Sequence, residues 1–124
     1  MIPKSFFDKV VYAAAILFLP ACAGVFGGEL GPSGGEPHFW DKALHFIAYF
    51  VLSALAVAAL RARKKALLAM LGLIVMGAAL EVIQGMIGRD MSARDEFANT
   101  LGVIAGAIVV WAVRAVLVRL RPAD

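Results

Sequence analysis

Four apolar runs, separated by short polar connections, leave this chain very few folds. They cover residues 10–27, 41–60, 66–87 and about 95–118. A bilayer core of about 30 Å takes about 20 residues of helix at 1.5 Å each, which is the length of these runs. Inside lipid every backbone N–H and C=O must find its partner within the protein, so an isolated run can cross only as a helix. The expectation is an all-α polytopic membrane protein: one domain, residues 1–124, bundling four transmembrane helices at about 8–27, 41–60, 66–87 and 95–118. Composition agrees. The chain is 62% hydrophobic with a mean hydropathy of +0.86, against roughly 45–50% apolar residues in soluble domains. Its 124 residues would give a soluble fold too small an interior to hide so much apolar surface.

The formal charge of +3 does not point to nucleic acid, because the basic residues stand at the ends of the apolar runs. That placement is a topology signal. Four spans put both termini on one side with Lys4, Lys9, Arg61, Arg63, Lys64, Lys65, Arg114, Arg119 and Arg121, nine of the twelve Lys and Arg. The other side has Lys42, Arg89 and Arg94. The positive-inside rule then predicts cytoplasmic termini and a cytoplasmic 61–65 turn, with the 27–40 segment outside. That segment, GGELGPSGGEPHFW, reads as a loop, and Phe39 and Trp40 suit a membrane surface.

In the first run, Pro20 predicts a kink, and Gly24 and Gly28 form a small-residue pair that permits close helix contact. Cys22 is the only cysteine, which excludes an internal disulfide and a four-cysteine metal site. Leu19-Pro20-Ala21-Cys22 also resembles a lipoprotein-type cleavage site. The apolar run continues past Cys22 to Phe26, which favours a retained first helix.

Polar residues inside the runs carry the functional signal. Asp41, His45 and Tyr49 recur every four residues and share one helix face, with Lys42 beside it. Glu81 and Gln84 share a face of the third helix, and Asp95 and Asn99 a face of the fourth, leading into Gly102 and Gly106. Ser92 is placed to cap the fourth helix, with Asp95 and Glu96 in its first turn. On the four-span topology these groups all fall in the outer leaflet. An ionisable residue within a spanning segment marks a functional site by default, and Glu81 is too short to reach water easily from its depth. The plainer reading is interhelical packing, in which polar side chains bond across helices for about 0.6 kcal/mol on average. Three ionisable-rich faces at one depth exceed what packing needs. For Gly102 and Gly106 the weighing reverses, and close helix contact is expected. The methionines are expected to pack or face lipid.

Asp41-Lys42-xx-His45-Phe46-xx-Tyr49, then Glu81-xx-Gln84-xxxx-Arg89-xx-Ser92-xx-Asp95-xxx-Asn99-xx-Gly102-xxx-Gly106, resembles the VanZ family over about residues 38–115. The order and spacing together carry the resemblance. It implies a small multi-pass protein of the bacterial inner membrane with a cell-envelope role, in a family whose namesake is associated with low-level teicoplanin resistance. It does not supply a reaction.

Three function classes follow. In the first, Asp41, Lys42, His45, Tyr49, Glu81, Gln84, Arg89, Ser92, Asp95 and Asn99 line a pocket. That pocket handles an anionic envelope lipid, a lipid-linked precursor or a glycopeptide lipid tail, with Lys42, Arg89 and Arg94 meeting the head group. In the second, His45 with Asp41, Glu81 or Asp95 forms a general acid–base pair of an intramembrane hydrolase or transferase, or the same set takes a divalent metal. In the third, the bundle is an accessory subunit of a larger envelope complex, or a homo-oligomer. No cofactor is expected and no metal site is assigned. There is no His-Glu-xx-His spacing and no serine in a nucleophile motif. Membrane lipids are the expected partners, and nucleic acid is not.

Overall fold

The computed structural model describes residues 4–30, 38–88 and 93–120, with the side chains of all of these except 4, 26, 28–30 and 38–41. It contains four helices in chain order: α1 Lys4–Leu30, α2 His38–Ala59, α3 Arg63–Met86 and α4 Ala93–Arg119. All four are long and apolar enough to cross a membrane, and there is no strand among the described residues. The chain is a multi-pass membrane protein with an all-α, four-helix bundle. Its outer surface fits that setting. Leu19, Ile47, Val75 and Ile108 are all more than half exposed, and similar residues cover the outside of every helix. So much uncovered apolar surface is not stable against water and suits a lipid setting.

The expected helix limits need small corrections, the largest in α1. That helix starts at Lys4 and runs through Pro20, Gly27 and Gly28 to Leu30, where the composition reads as a loop from residue 27. Pro20 lies inside the apolar span, Ser5–Val25, where the lack of water to receive free backbone groups lets a helix continue through proline. Arg63, Lys64 and Lys65 begin α3, so the turn itself is only residues 60–62. It is closed by backbone bonds from Leu60 N–H to Ala56 O and from Ala66 N–H to Ala62 O, both 3.0 Å. At the other end of α3, Gly88 has φ +86°. This left-handed conformation suits glycine, and it ends the helix just past Ile87.

The helices alternate in direction, so α2 and α4 run parallel, and they form the most extensive contact in the bundle. Two glycines explain how closely they approach. A methyl group built on Gly106 would stand 2.5 Å from Phe50 O and 3.1 Å from Ala54 N, and one on Gly102 would meet Phe46 O. Both sites face the backbone of α2, so nothing flexible can move aside. Ser53 completes the seam by donating from Oγ to Val103 O at 2.6 Å.

Around the seam, Tyr49, Leu52, Ala56, Leu73 and Val103 form the main core, with Phe18, Cys22, Met70 and Met76 packed against it. A second core of Val57, Ala66 and Ala107 lies nearer the 60–62 turn. Helix α1 is peripheral: of its described side chains only Ala14 is buried, and Gly24 has no atom within 4 Å of an added methyl. At the turn end a cavity of about 390 Å³ separates α1 from α4, lined by Phe7, Val10, Val113 and Leu117 with Arg61 and Arg114.

Candidate functional site

The end opposite the 60–62 turn gathers most of the residues singled out from the sequence. His45 and Glu81 lie about 10 Å and 8 Å from the nearer ends of α2 and α3 at 1.5 Å per residue. Asp95 is in the first turn of α4. All are enclosed: exposure is 9% for His45, 4% for Glu81 and 7% for Asp95. Three helices thus deliver one ligand-capable atom each, and these atoms all lie within 4.8 Å of one another.

Asn99, fully buried, orders the centre. Its Nδ2 donates to Glu96 Oε2 at 3.3 Å. That leaves Oδ1 as the acceptor for His45 Nδ1, 2.9 Å away. The proton of a neutral His45 is therefore assigned to Nδ1, with the lone pair on Nε2. Nε2 faces Asp95 Oδ2 at 3.8 Å, an ion-pair distance but beyond hydrogen-bond reach. Asp95 Oδ1 also meets Lys42 Nζ at 3.5 Å. The Lys42 side chain is one-third exposed and connects the buried group to the surface.

Of the other expected site residues, Gln84 is buried on the face of α3 that carries Glu81, at 4% exposure. Tyr49 is fully enclosed and belongs to the apolar core as well as to the lower edge of the site. Gly102 and Gly106 sit on the α2 backbone, one turn and two turns below Asn99. The Asp41 side chain, and Arg89 and Ser92 entirely, lie outside the described residues, as do the side chains of Phe39 and Trp40. The expected N-cap therefore has no structural description, though Asp95 and Glu96 do occupy the first turn of α4.

Three contributors were not singled out as site residues. Glu96 holds Asn99. Gly77 makes room for both, since a methyl there would stand 2.7 Å from Glu96 Oε2 and 3.1 Å from Asn99 Nδ2. Ser53 extends the four-residue ladder of Asp41, His45 and Tyr49 by one step, and that periodicity was visible in the sequence. Gly77, four residues before Glu81, has no comparable signal.

Charge sets what the site can do. The described contacts bring together three carboxylic side chains, Glu81, Asp95 and Glu96, and one lysine, Lys42. Ionised carboxylates are costly in such a region unless they are paired or protonated. It can hold and pass protons, pair with cations, and offer oxygen and nitrogen ligands. Comparison with protein-family models, with curated proteins and with solved structures gave no match.

Proposed function

We propose that this chain is a VanZ-like protein of the bacterial inner membrane whose buried ionisable cluster handles the head group of an anionic envelope lipid or lipid-linked precursor. The observation that carries the proposal is the meeting of His45, Glu81 and Asp95, from three helices, within 4.8 Å. Lys42 stands between that cluster and the surface, placed to meet an anionic head group first. The exposed apolar faces of the helices suit the chains of the same lipid. The family resemblance in the motif residues supports the envelope setting and makes glycopeptide sensitivity the phenotype to measure.

In this reading both termini and the 60–62 turn are cytoplasmic and the cluster lies in the outer leaflet. The nine-to-three division of Lys and Arg supports it. Cysteine labelling in intact cells, on a background with Cys22 replaced, tests the orientation. A probe that cannot cross the membrane is expected to label Gly34→Cys and spare Ala62→Cys; the reverse pattern removes the orientation.

Glu81→Gln tests the function. Glutamine keeps the shape and can still hydrogen-bond, so a site that only packs helices should tolerate it. An ion-dependent site should lose at least tenfold in activity, read as host teicoplanin susceptibility, with a melting temperature close to that of the wild type. Unchanged activity in both Glu81→Gln and His45→Ala leaves helix packing as the role of the cluster. A second reading, hydrolysis or group transfer on such a lipid, is favoured by the Asn99–His45–Asp95 arrangement, which orients one imidazole nitrogen and leaves the other facing a carboxylate. Release of a cleaved head group by the purified protein distinguishes it from binding alone.

A further inference from the structure

We infer that His45 Nε2 and one carboxylate oxygen each from Glu81 and Asp95 form a binding site for a divalent metal ion of the zinc class. The donor set is the first support. Three side chains from three helices place one nitrogen and two oxygens within 4.8 Å of one another, each behind at least nine-tenths burial. Imidazole with carboxylates suits zinc or manganese better than the all-oxygen ions calcium and magnesium.

The support around His45 is independent of that proximity. Ligating histidines nearly always donate their second N–H to a neighbouring oxygen, which fixes the ring and directs the other lone pair at the metal. Asn99 does this here: Oδ1 accepts from Nδ1 at 2.9 Å, and Asn99 is itself held by Glu96. Nε2 and Asp95 Oδ2, 3.8 Å apart, are too distant to share a proton directly. In tetrahedral geometry two ligands at about 2.1 Å stand about 3.4 Å apart, so this pair is within about half an ångström of spanning an ion. The widest separation allowed by the cluster, 4.8 Å, has to close by about 1.4 Å, which side-chain rotation must supply.

Charge is the third support. Three carboxylic side chains stand with one lysine among the described contacts, and a divalent cation neutralises whichever of them are ionised. The cation also bears on the proposed function, because ionised carboxylates repel an anionic head group. Three protein ligands leave a coordination position open. A phosphate or carboxylate oxygen of the head group fits there. That last use rests on the reading above, whereas the metal site stands on the donor set and its support.

The test is titration of untagged, chelator-stripped full-length protein in detergent with zinc chloride, followed by calorimetry and metal analysis. One equivalent of zinc per chain is expected, with a rise in melting temperature. Glu81→Gln, Asp95→Asn and His45→Ala should each abolish stoichiometric binding while metal-free helicity is kept. Asn99→Ala, which removes the support for the ring along with the contact to Glu96 but no metal ligand, should weaken binding about 10- to 100-fold. X-ray absorption on the zinc-loaded wild type should show nitrogen and oxygen neighbours and no sulfur. Absence of stoichiometric binding to the wild type overturns the site, as does equal binding by the wild type and the three ligand variants. If a ligand variant fails to fold, the Asn99→Ala affinity and the absorption spectrum decide. Zinc binding without binding of a lipid-linked precursor supports this site and removes the head-group reading. Precursor binding by a protein that takes up no zinc overturns this site alone.

Discussion

The two ends of the α2–α4 pair use charge in opposite ways. At the turn end, Arg114 donates from Nη2 to Val57 O at 3.1 Å and Ala58 O at 3.3 Å. These carbonyls belong to the last turn of α2, where no intrahelical donor remains. Arg63 lies over the Trp111 ring, 4.7 Å from its centroid, and Asp8 pairs with Arg61 at the surface. Helix ends and membrane surfaces create a need for such groups in any bundle. At the far end His45 of α2 meets Asn99 and Asp95 of α4 side chain to side chain, behind nine-tenths burial, with Glu81 of α3 within 4.8 Å. The α4 N-terminus accounts for Asp95, but no helix terminus calls for the buried His45 and Glu81 beside it. The turn end is explained by the fold, and the far end calls for a function.

Three experiments sharpen or break that contrast. Gly102→Val should have the largest effect on stability, because the added atoms meet the Phe46 carbonyl in the α2 backbone. A loss of about 3 kcal/mol is expected from overpacking at a site that cannot yield, read by denaturant unfolding in detergent. Stability and activity should fall together, since the seam supports both ends. A wild-type unfolding curve would show that α2 and α4 are not seated on this glycine.

Arg114→Gln should cost about 1.5 kcal/mol by removing a charged donor from two carbonyls, with activity retained. The contrast between the ends breaks if this variant loses activity as Glu81→Gln is expected to. Asp8→Asn should be the mildest. Its pair with Arg61 is more than half exposed, and exposed pairs contribute about 0.5 kcal/mol or less. A larger loss of stability would mean that the first turn of α1 is held more firmly than its exposure implies.

The second helix shows how much of the site could be read without coordinates. Asp41, His45, Tyr49 and Ser53 follow a strict four-residue step, so their common face is a consequence of helix geometry alone. The step does not say which face of α3 or α4 it meets. Glu96 illustrates the difference. In sequence it is one of two acids in a helical first turn, a usual place for a negative charge. In the bundle it is the group that holds Asn99, which in turn orients His45.

Four helices long enough to cross, their approximate limits and the placing of the polar residues towards one end of them were legible in the sequence itself. Length, apolarity and backbone hydrogen bonding are local properties, and lipid leaves a local segment one conformation. The extension of α1 to Leu30 departs from this only at its end, where Gly27 and Gly28 read as loop. What only the tertiary structure decided is which faces meet: the parallel seating of α2 on Gly102 and Gly106, the peripheral place of α1, and the assembly of His45, Glu81 and Asp95 around one point. Those depend on the shapes of surfaces distant in the chain. A glycine reads alike in sequence whether it is Gly24, with nothing within 4 Å, or Gly106, pressed on a neighbouring backbone. The difference is made by the helix packed against it.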